Sequence, residues 1–238
     1  QSQHQKGWGK MRYDLHLHSC LSPCANDDMT PATIAGMAKL AGAELIAVTD
    51  HNSALNLPAA AQACAAYGLR LLPGIEVNTA EEIHVLCYFA RVETALAFGQ
   101  QLYAALPAFP YDPKIWGAQL VMDADDNVTL RVDKLLTGAV TMDIYEVKAA
   151  CEALGGVAVP AHVDKDSTSV LSVLGFLPDD LPFAAFESRH PEKLPALVER
   201  GLLPAGREIL TSSDAHCIED IASCLHTLAE TSVLRRLL

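Results

Sequence analysis

Five short segments rich in histidine and carboxylate residues recur along the chain, and each follows a strand-like run. The segments are residues 14–18 (DLHLH), 49–52 (TDHN), 73–76 (PGIE), 160–162 (PAH) and 213–216 (SDAH). The preceding runs lie at 12–15, 45–48, 70–72, 157–159 and 208–210. Such runs predict strands, and the carboxyl ends of strands around a barrel meet at one face. The sequence therefore predicts a fold in which these side chains converge.

The converging residues are of the types that bind divalent metals. Six of the nine histidines lie in or close to these segments, together with Glu76 and Asp214. Borderline-soft divalent metals prefer neutral imidazoles and carboxylates as ligands. Two histidines alone, such as His16 and His18, are weak evidence for a metal, because two histidines on one strand face are often simply solvated. A cluster at successive strand ends is stronger evidence, and it predicts the polynuclear metal site of a hydrolase.

Helical patterns alternate with the strands. The first helix is predicted to begin after Thr30, with Pro31 at its first position, and to end at Gly42. Later elements include a predicted strand over 70–75 and a helix over 191–200. Strand–helix alternation of this length predicts the α/β class with a parallel sheet that is closed or nearly closed.

Residues 106–140 interrupt the alternation and are predicted to form an inserted flap. Three prolines punctuate its first part, and two short strand patterns then flank an acidic turn at 123–127. This pattern is typical of a β-hairpin. The turn lacks the glycine and the distal glutamate of a calcium-binding loop, so we predict a plain turn.

Length and charge limit the class of protein. A chain of 238 residues, half of them hydrophobic, fits one barrel domain, predicted over residues 11–238. The polar residues 1–10 are expected to be a leader or an expression remnant. The formal net charge of −12 argues against unaided binding to duplex nucleic acid, which needs a basic surface. A small phosphorylated substrate or a short single-stranded nucleic acid stays open as a partner.

The number of cysteines and the hydropathy of the chain indicate the cellular compartment in which the protein is expected. The seven cysteines are odd in number, and several lie inside apolar patterns, which favours a reducing cytoplasm over a disulfide framework. No apolar run approaches the ~18 residues that a membrane span needs. We therefore expect a cytoplasmic protein that does not associate with membranes.

The order of these motifs resembles that of the PHP (polymerase and histidinol phosphatase) family over nearly the whole chain from Met11. The resemblance implies a distorted, TIM-like (β/α)7 barrel, here with a small β-hairpin insertion, and two or three divalent metal ions (zinc, manganese or iron). It also implies three metal positions. The first would be held by His16, His18, Glu76 and Asp214, and the second by Glu76, His84 and His162. The third would be held by His51 and His216. Asp50 is expected to orient one of the ligating histidines.

One position departs from the family pattern. The family usually has Asp or His five or six residues after the second histidine of His-x-His, where this chain has Pro23 and Cys24. Cys24 is either a thiolate ligand of the third metal, which would favour zinc, or a packed loop thiol. Asp27 and Asp28 are alternative ligands if the loop folds back.

The expected chemistry is attack by a metal-bound hydroxide on a phosphoester. Glu76 is predicted to bridge two metals, and Asp214 and His216 complete the predicted catalytic group. His216 is expected to act as a ligand, although it or His51 would be placed to protonate the leaving oxygen in the absence of its metal.

Three cationic residues are candidates for substrate binding. Lys165 follows His162 on the same loop, and Arg189 and His190 follow the strand pattern at 183–187. These positions fall on the face where barrel active sites form. Phosphate binding by one or more of them is therefore expected.

The leading hypothesis is a metal-dependent phosphoesterase acting on a phosphomonoester, a nucleotide or a short oligonucleotide. Three alternatives stay open: a C–N bond hydrolase at the same metal centre, an editing module that works with a partner polymerase, and a regulatory metal-binding module without turnover. The nearly complete ligand set weighs against the last. The sequence names neither the substrate nor the oligomeric state.

Overall fold

Strands and helices alternate along residues 10–238, which are the residues that the computed structural model describes. The predicted leader at 1–10, apart from Lys10, lies outside these residues. The strands are β1 (Met11–Leu17), β2 (Leu45–Val48), β3 (Arg70–Leu71), β4 (Gly74–Asn78), β5 (His84–Tyr88), β6 (Leu120–Met122), β7 (Val128–Arg131), β8 (Val157–Pro160), β9 (Ala185–Glu187), β10 (Glu208–Leu210) and β11 (His226–Leu228). The helices are α1 (Pro31–Ala41), α2 (Leu57–Tyr67), α3 (Val92–Ala105), α4 (Pro113–Trp116), α5 (Ile144–Ala153), α6 (Val170–Leu174) and α7 (Leu194–Glu199).

Short 3-10 segments complete the description. They cover Pro191–Lys193, Ile218–Asp220 and Val233–Leu237. The helix predicted over 191–200 is therefore divided between a 3-10 turn and α7. Pro195 lies in the first turn of α7, where its missing N–H is tolerated, but it cannot donate a hydrogen bond back to the 3-10 turn that precedes it.

Helix α1 begins and ends as its sequence predicts. The side chain of Thr30 accepts a hydrogen bond from the backbone N–H of Thr33, and Pro31 occupies the first helical position. Gly42 ends the helix with φ of 90°, a left-handed conformation that glycine adopts without a steric penalty.

The predicted α/β class is confirmed, but the strands pair in four separate sheets rather than in one parallel sheet. Their orders are β11-β1-β2-β3, β10-β9, β4-β5-β8 and β6-β7. The β1–β2, β2–β3 and β9–β10 pairs are parallel, whereas β5 runs antiparallel to both of its neighbours. Isolated bridges link Leu17 to Ala215 and His51 to Glu76, so the sheets are continuous at two further points.

The strand predicted over 70–75 is two strands. β3 pairs with β2 and ends at Leu71, and β4 begins at Gly74 and pairs with β5. Pro73 lies at the break, where a residue without a backbone N–H cannot continue a hydrogen-bonded ladder. As a result Glu76 lies in the middle of β4 rather than after the end of a strand.

An irregularity in β1 reverses the alternation of its side chains. Leu15 belongs to one buried apolar cluster, and Leu17, which regular alternation would place on the same face, belongs to another. The register with β2 shifts between Asp14 and Leu17. An extra residue in one strand moves all later side chains to the opposite face. His16 and His18 therefore come to the face that Leu15 occupies.

Within the segment predicted as a flap, β6 and β7 pair antiparallel as the expected β-hairpin, which packs on the loop after β1. Leu120 donates its N–H to the carbonyl of Cys20 at 2.9 Å. Gly117 has φ of 96°, and a Cβ there would lie 2.1 Å from the carbonyl oxygen of Pro23. The acidic turn is closed by Asp123, whose carboxylate accepts N–H groups of the turn itself.

None of the helices in residues 10–238 combines the length and the apolar character that a membrane crossing would need.

Candidate metal centre

Glu76 lies at the centre of a ring of imidazoles. Its carboxylate is 1 % exposed, so its charge is almost fully removed from water. Five histidine nitrogens lie around its two oxygens: His16 Nε2 at 3.3 Å, His18 Nε2 at 3.2 Å, His51 Nδ1 at 3.2 Å, His84 Nδ1 at 2.9 Å and His162 Nε2 at 3.2 Å. All five histidines come from segments that the sequence predicts to converge.

Asp214 approaches the same cluster from the opposite end of the chain. Its Oδ1 lies 3.2 Å from His16 Nε2 and 3.3 Å from His18 Nε2. Its backbone has φ of 53°, and His162 has φ of 29°, both in the left-handed region that non-glycine residues seldom adopt. Such strain is concentrated at functional sites, where the surroundings hold the residue in place.

His84 reaches the cluster from the beginning of a strand rather than from its end. It is the first residue of β5, which runs antiparallel to β4 and β8. The start of an antiparallel strand lies at the same edge as the carboxyl ends of its neighbours. The sequence predicts that His84 lies on a strand near 83–89 rather than after one, and both this position and its convergence with Glu76 are as expected.

Two of the central histidines are oriented from behind by carboxylates. Nδ1 of His16 lies 2.9 Å from Glu187 Oε1, so its Nε2 is directed at the cluster. His18 donates from Nδ1 to the hydroxyl of Ser22 at 3.0 Å, and that hydroxyl donates to Asp50 at 2.7 Å. The other nitrogen of each ring carries the lone pair that a metal needs.

The sequence did not identify Glu187. For Asp50 it predicted an orienting role but not the histidine on which Asp50 acts. Asp50 acts on His18 through Ser22, as a buried relay rather than as a direct partner. Glu187 has the same position as the recognised ligands, at the end of strand β9, and this was the signal that could have identified it. Asp14 was also missed: its carboxylate accepts from the backbone and hydroxyl of Ser213 and so fixes the loop that carries Asp214.

The imidazoles of the cluster differ in the direction in which their pKa values are shifted. Burial alone would lower the pKa of His18, but hydrogen bonds to Asp214 and Glu76 raise it to about 9. Burial also opposes the charge of His16, yet Glu187, Asp214 and Glu76 hold its pKa well above the usual value. The surrounding carboxylates therefore favour the positively charged form of both rings when no metal is bound.

His51 and His216 are held neutral instead. Burial is the main cause that lowers the pKa of His51 well below its usual value. Burial and the neighbouring His18 lower the pKa of His216 to about 4. The Nδ1 of His216 donates to the carbonyl of Asp214 at 2.8 Å, which leaves its Nε2 as an acceptor or ligand.

The donor set fits divalent metal ions. The Nδ1 atoms of His51, His84 and His162 are buried and have no hydrogen-bond partner among residues 10–238. Buried polar atoms are normally paired, so these nitrogens require an explanation. Three groups have ligand atoms within 4.8 Å of one another: His18, Cys24, His51 and His216; His16, His18 and Asp214; and His51, Glu76 and His84.

These groups overlap with, but differ from, the sets that the family resemblance implies. His18 belongs to two groups, and His162 reaches Glu76 without belonging to any of them. Cys24 is grouped with three histidines, whereas Asp27 and Asp28 are not. Burial and the charge of Glu76 raise the pKa of the Cys24 thiol to about 12, so the metal-free thiol is protonated.

A cavity of about 200 Å³ opens onto the cluster. It is lined by Cys24, His51, Glu76, His84, Thr137, His162, Lys165, Asp214 and His216. A larger, mainly apolar cavity of about 570 Å³ lies between α3 and the flap, but it contains none of the clustered histidines. We place the site at the smaller cavity because the titratable residues converge there.

The three predicted substrate-binding cations are not equivalent. Lys165 lines the cavity, with Nζ 4.0 Å from Asp214 Oδ2. Arg189 and His190 are exposed and are not among the described residues that line it. Asp164 accepts their backbone N–H groups, and the ring of His190 lies 3.3 Å from Glu192. The structure therefore brings only Lys165 to the cluster.

Comparisons with known proteins agree with this geometry. The model of the PHP domain family matches residues 14–148. No curated protein matches the chain.

Three solved structures are similar in fold. A lesion-specific endonuclease from Pyrococcus furiosus is 17% identical with a TM-score of 0.63, covering 94% of this chain and 54% of its own. An amidohydrolase from Chromobacterium violaceum is 19% identical with a TM-score of 0.61, covering 94% and 95%. A Bifidobacterium adolescentis protein assigned as a metal-dependent phosphoesterase is 19% identical with a TM-score of 0.56, covering 86% and 87%. At such identities the likeness establishes the fold, and the chain spans about half the length of the endonuclease.

Proposed function

Because the chain belongs to the PHP domain family, we propose that it is a metal-dependent hydrolase whose substrate is a phosphoester. The observation that carries the proposal is the position of Glu76, whose two carboxylate oxygens are both within 3.3 Å of imidazole nitrogens. A carboxylate with ligand-type groups beside both oxygens is suited to bridging two metal ions. No serine or cysteine nucleophile is needed in this scheme.

Bound divalent metals would supply a hydroxide nucleophile near neutral pH and would neutralise charge on phosphate oxygens. His16, His18, Glu76 and Asp214 would hold one ion, and Glu76, His84 and His162 a second. Glu187 fixes the ring of His16, and the Ser22–Asp50 relay fixes that of His18. His216 offers its Nε2 to the same space, as a ligand in preference to a proton donor.

Lys165 is the group proposed to bind substrate phosphate. Its side chain is 43% exposed and its ammonium lies beside Asp214, at the mouth of the cavity. A lysine acts on phosphate as a point charge. Asp214 holds the ammonium near the metal positions before substrate binds. Arg189 and His190 would reach the substrate only if it extended beyond the cavity.

The phosphoester is proposed to be small or single-stranded. The cavity of about 200 Å³ accepts a phosphate group and part of its ester, and the net charge of −12 disfavours long duplex DNA. The endonuclease neighbour acts on DNA lesions by its name, and about half of its chain has no counterpart here. A phosphomonoester, a nucleotide or an oligonucleotide end is therefore the preferred substrate.

The wider setting is also a proposal. We propose that residues 11–238 form a single distorted barrel domain, with the flap at about 106–140 as an insertion. The two isolated bridges between the sheets support a barrel-like closure. All seven cysteines are free, which fits a reducing compartment such as the cytoplasm.

Hydrolysis of a C–N bond is the second candidate function. The observation in its favour is the amidohydrolase neighbour, which this chain covers over 95% of its length. The same metal positions would activate water toward an amide or imine carbon. In that reaction no phosphate would be bound, so Lys165 would be dispensable.

A substrate screen distinguishes the two. The metal-depleted protein would be loaded separately with manganese, iron and zinc and assayed against sugar phosphates, nucleotides, histidinol phosphate, short oligonucleotides and amide or deaminase substrates. Turnover of a phosphoester, with competitive inhibition by inorganic phosphate, is expected. Turnover of C–N substrates alone, unaffected by phosphate, would replace the phosphoesterase proposal with the second candidate.

A further inference from the structure

The loop after β1 places a sulfur atom over the imidazole cluster. The Sγ of Cys24 and one ring nitrogen each of His18, His51 and His216 all lie within 4.8 Å of one another. Two ligands of one zinc ion are separated by at most about 4.4 Å, the sum of typical Zn–S and Zn–N bond lengths. Side-chain movements of roughly an ångström would bring the sulfur and the nitrogens of His51 and His216 to a common ion. The one available nitrogen of His18, Nε2, faces Glu76 and Asp214 instead.

A second observation points to a ligand at the same place. His51 is 5% exposed, and its Nδ1 is without a hydrogen-bond partner among residues 10–238. The Nδ1 of His216 is occupied by the carbonyl of Asp214, so its other nitrogen is available. The surrounding protein therefore favours the His216 tautomer whose Nε2 can bind a cation, and it leaves a buried nitrogen of His51 without a hydrogen-bond partner.

We propose that Cys24 supplies a thiolate beside His51 and His216 and makes this position selective for zinc, whereas the free nitrogen of His18 stays with the first metal position. Thiolate with imidazole is a donor set that zinc prefers, whereas manganese prefers oxygen donors such as carboxylates. On binding, the S–H bond of Cys24 breaks, an S–Zn bond forms and the proton passes to solvent, with no change of oxidation state. The position would thus differ from the carboxylate- or imidazole-containing version that the family pattern describes.

The loop that carries Cys24 is held on two sides. Asp50 accepts hydrogen bonds from the backbone and hydroxyl of Ser19 and from the hydroxyl of Ser22. On the other side Gly117 of the flap lies so close to Pro23 that even a methyl group would overlap with its carbonyl oxygen. A ligand placed by such fixed contacts loses little freedom when it binds, which strengthens binding.

The other thiols do not share these features. Cys20, Cys64, Cys87 and Cys151 are buried in apolar surroundings or against the flap. Cys217 follows His216 directly, but its sulfur donates to the Asp220 carboxylate at 3.2 Å. Cys217 is therefore a matched control, a partly exposed thiol beside the centre that belongs to no ligand group.

The inference rests on the proposed function only in requiring a metal centre, and its test does not depend on turnover. The full chain would be depleted of metal and reconstituted with cobalt or zinc. Wild type and Cys217→Ser should show a thiolate-to-cobalt charge-transfer absorption that Cys24→Ser lacks. Bound zinc after dialysis should fall by one ion per chain in Cys24→Ser, and Cys24→Asp should retain manganese where wild type retains zinc.

Alkylation of the wild-type chain gives a second readout if the variants fail to fold. Peptide mass spectrometry should show that zinc protects Cys24 from iodoacetamide and leaves Cys217 reactive. Absence of both the absorption band and the protection in wild type would overturn the inference, as would unchanged zinc stoichiometry in Cys24→Ser. A band without turnover of any phosphoester would leave this inference standing and remove the proposed reaction. Turnover without a band or protection would do the reverse.

Discussion

Replacement of Glu187 by glutamine tests whether the carboxylate behind His16 sets the metal affinity of the centre. The Glu187 side chain is buried and accepts from two donors, the Nδ1 of His16 at 2.9 Å and the backbone N–H of His162 at 3.0 Å. A glutamine of the same shape has only one accepting oxygen. The Nδ1 of His16 lies 2.9 Å from Oε1 and 3.0 Å from Oε2, so in either orientation of the amide a donor N–H would face the NH2 group.

The magnitude follows from two independent estimates. A buried donor left without an acceptor costs about 1–3 kcal/mol. Loss of a carboxylate that orients a metal-bound histidine typically weakens metal binding by about 10–100-fold, which corresponds to roughly 1.4–2.8 kcal/mol. Because the two ranges agree, we expect Glu187→Gln to raise the dissociation constant of the metal that His16 binds by about 10- to 100-fold.

The assay is a metal titration of the depleted protein against a chromophoric chelator, with thermal unfolding measured in parallel. Each kcal/mol lost should lower Tm by about 2–4 °C in a domain of this size. Glu199→Gln, an exposed carboxylate on α7, is the control and should change neither quantity. A metal affinity for Glu187→Gln that equals that of the control variant would refute the orienting role, even if Tm fell.

Four further outcomes are expected. Glu76→Gln should abolish hydrolysis and lower the retained metal by more than one ion, as determined by elemental analysis, because both of its oxygens face ligand groups. Lys165→Ala should raise KM for a phosphoester, whereas the exposed Lys193→Ala should not, in steady-state assays. Metal affinity should increase with pH to at least about 9, since the pKa of His18 is raised to about 9 and its proton must leave before Nε2 can bind; titrations at several pH values check this. Gly117→Ala should weaken zinc retention without removing a ligand, because its Cβ would displace Pro23.

Much of the site could be predicted because the types of its residues and their positions relative to the strands indicate metal binding. The apolar runs with His, Asp or Glu at their ends identified the histidines around Glu76 and also Asp214, and the structure brings them together. The position of Glu187 at the end of β9 matched that of the recognised ligands, but a single carboxylate on a short strand has no distinctive motif beside it. Its role depends on the ring of His16, which is 171 residues away in sequence.

The errors in the fold have local physical causes. A five-residue connection between β4 and β5 is too short for the crossover of a dozen or more residues that parallel neighbours need, so the antiparallel pairing was implicit in the spacing. Pro73 marked the break in the strand predicted over 70–75. The contact of Gly117 with Pro23 has no such signal, because it depends on how the flap packs in three dimensions.

The irregularity in β1 also sets a condition for transplanting the centre. Leu15 and Leu17 lie in different apolar clusters, and the register with β2 changes between them. The sequence DLHLH therefore does not encode two inward imidazoles by itself. Grafted onto a strand of strict two-residue period that buries the leucine before the first histidine, it would direct both rings toward the outer layer of helices. A designer who copies these ligands into another barrel must also copy the extra residue.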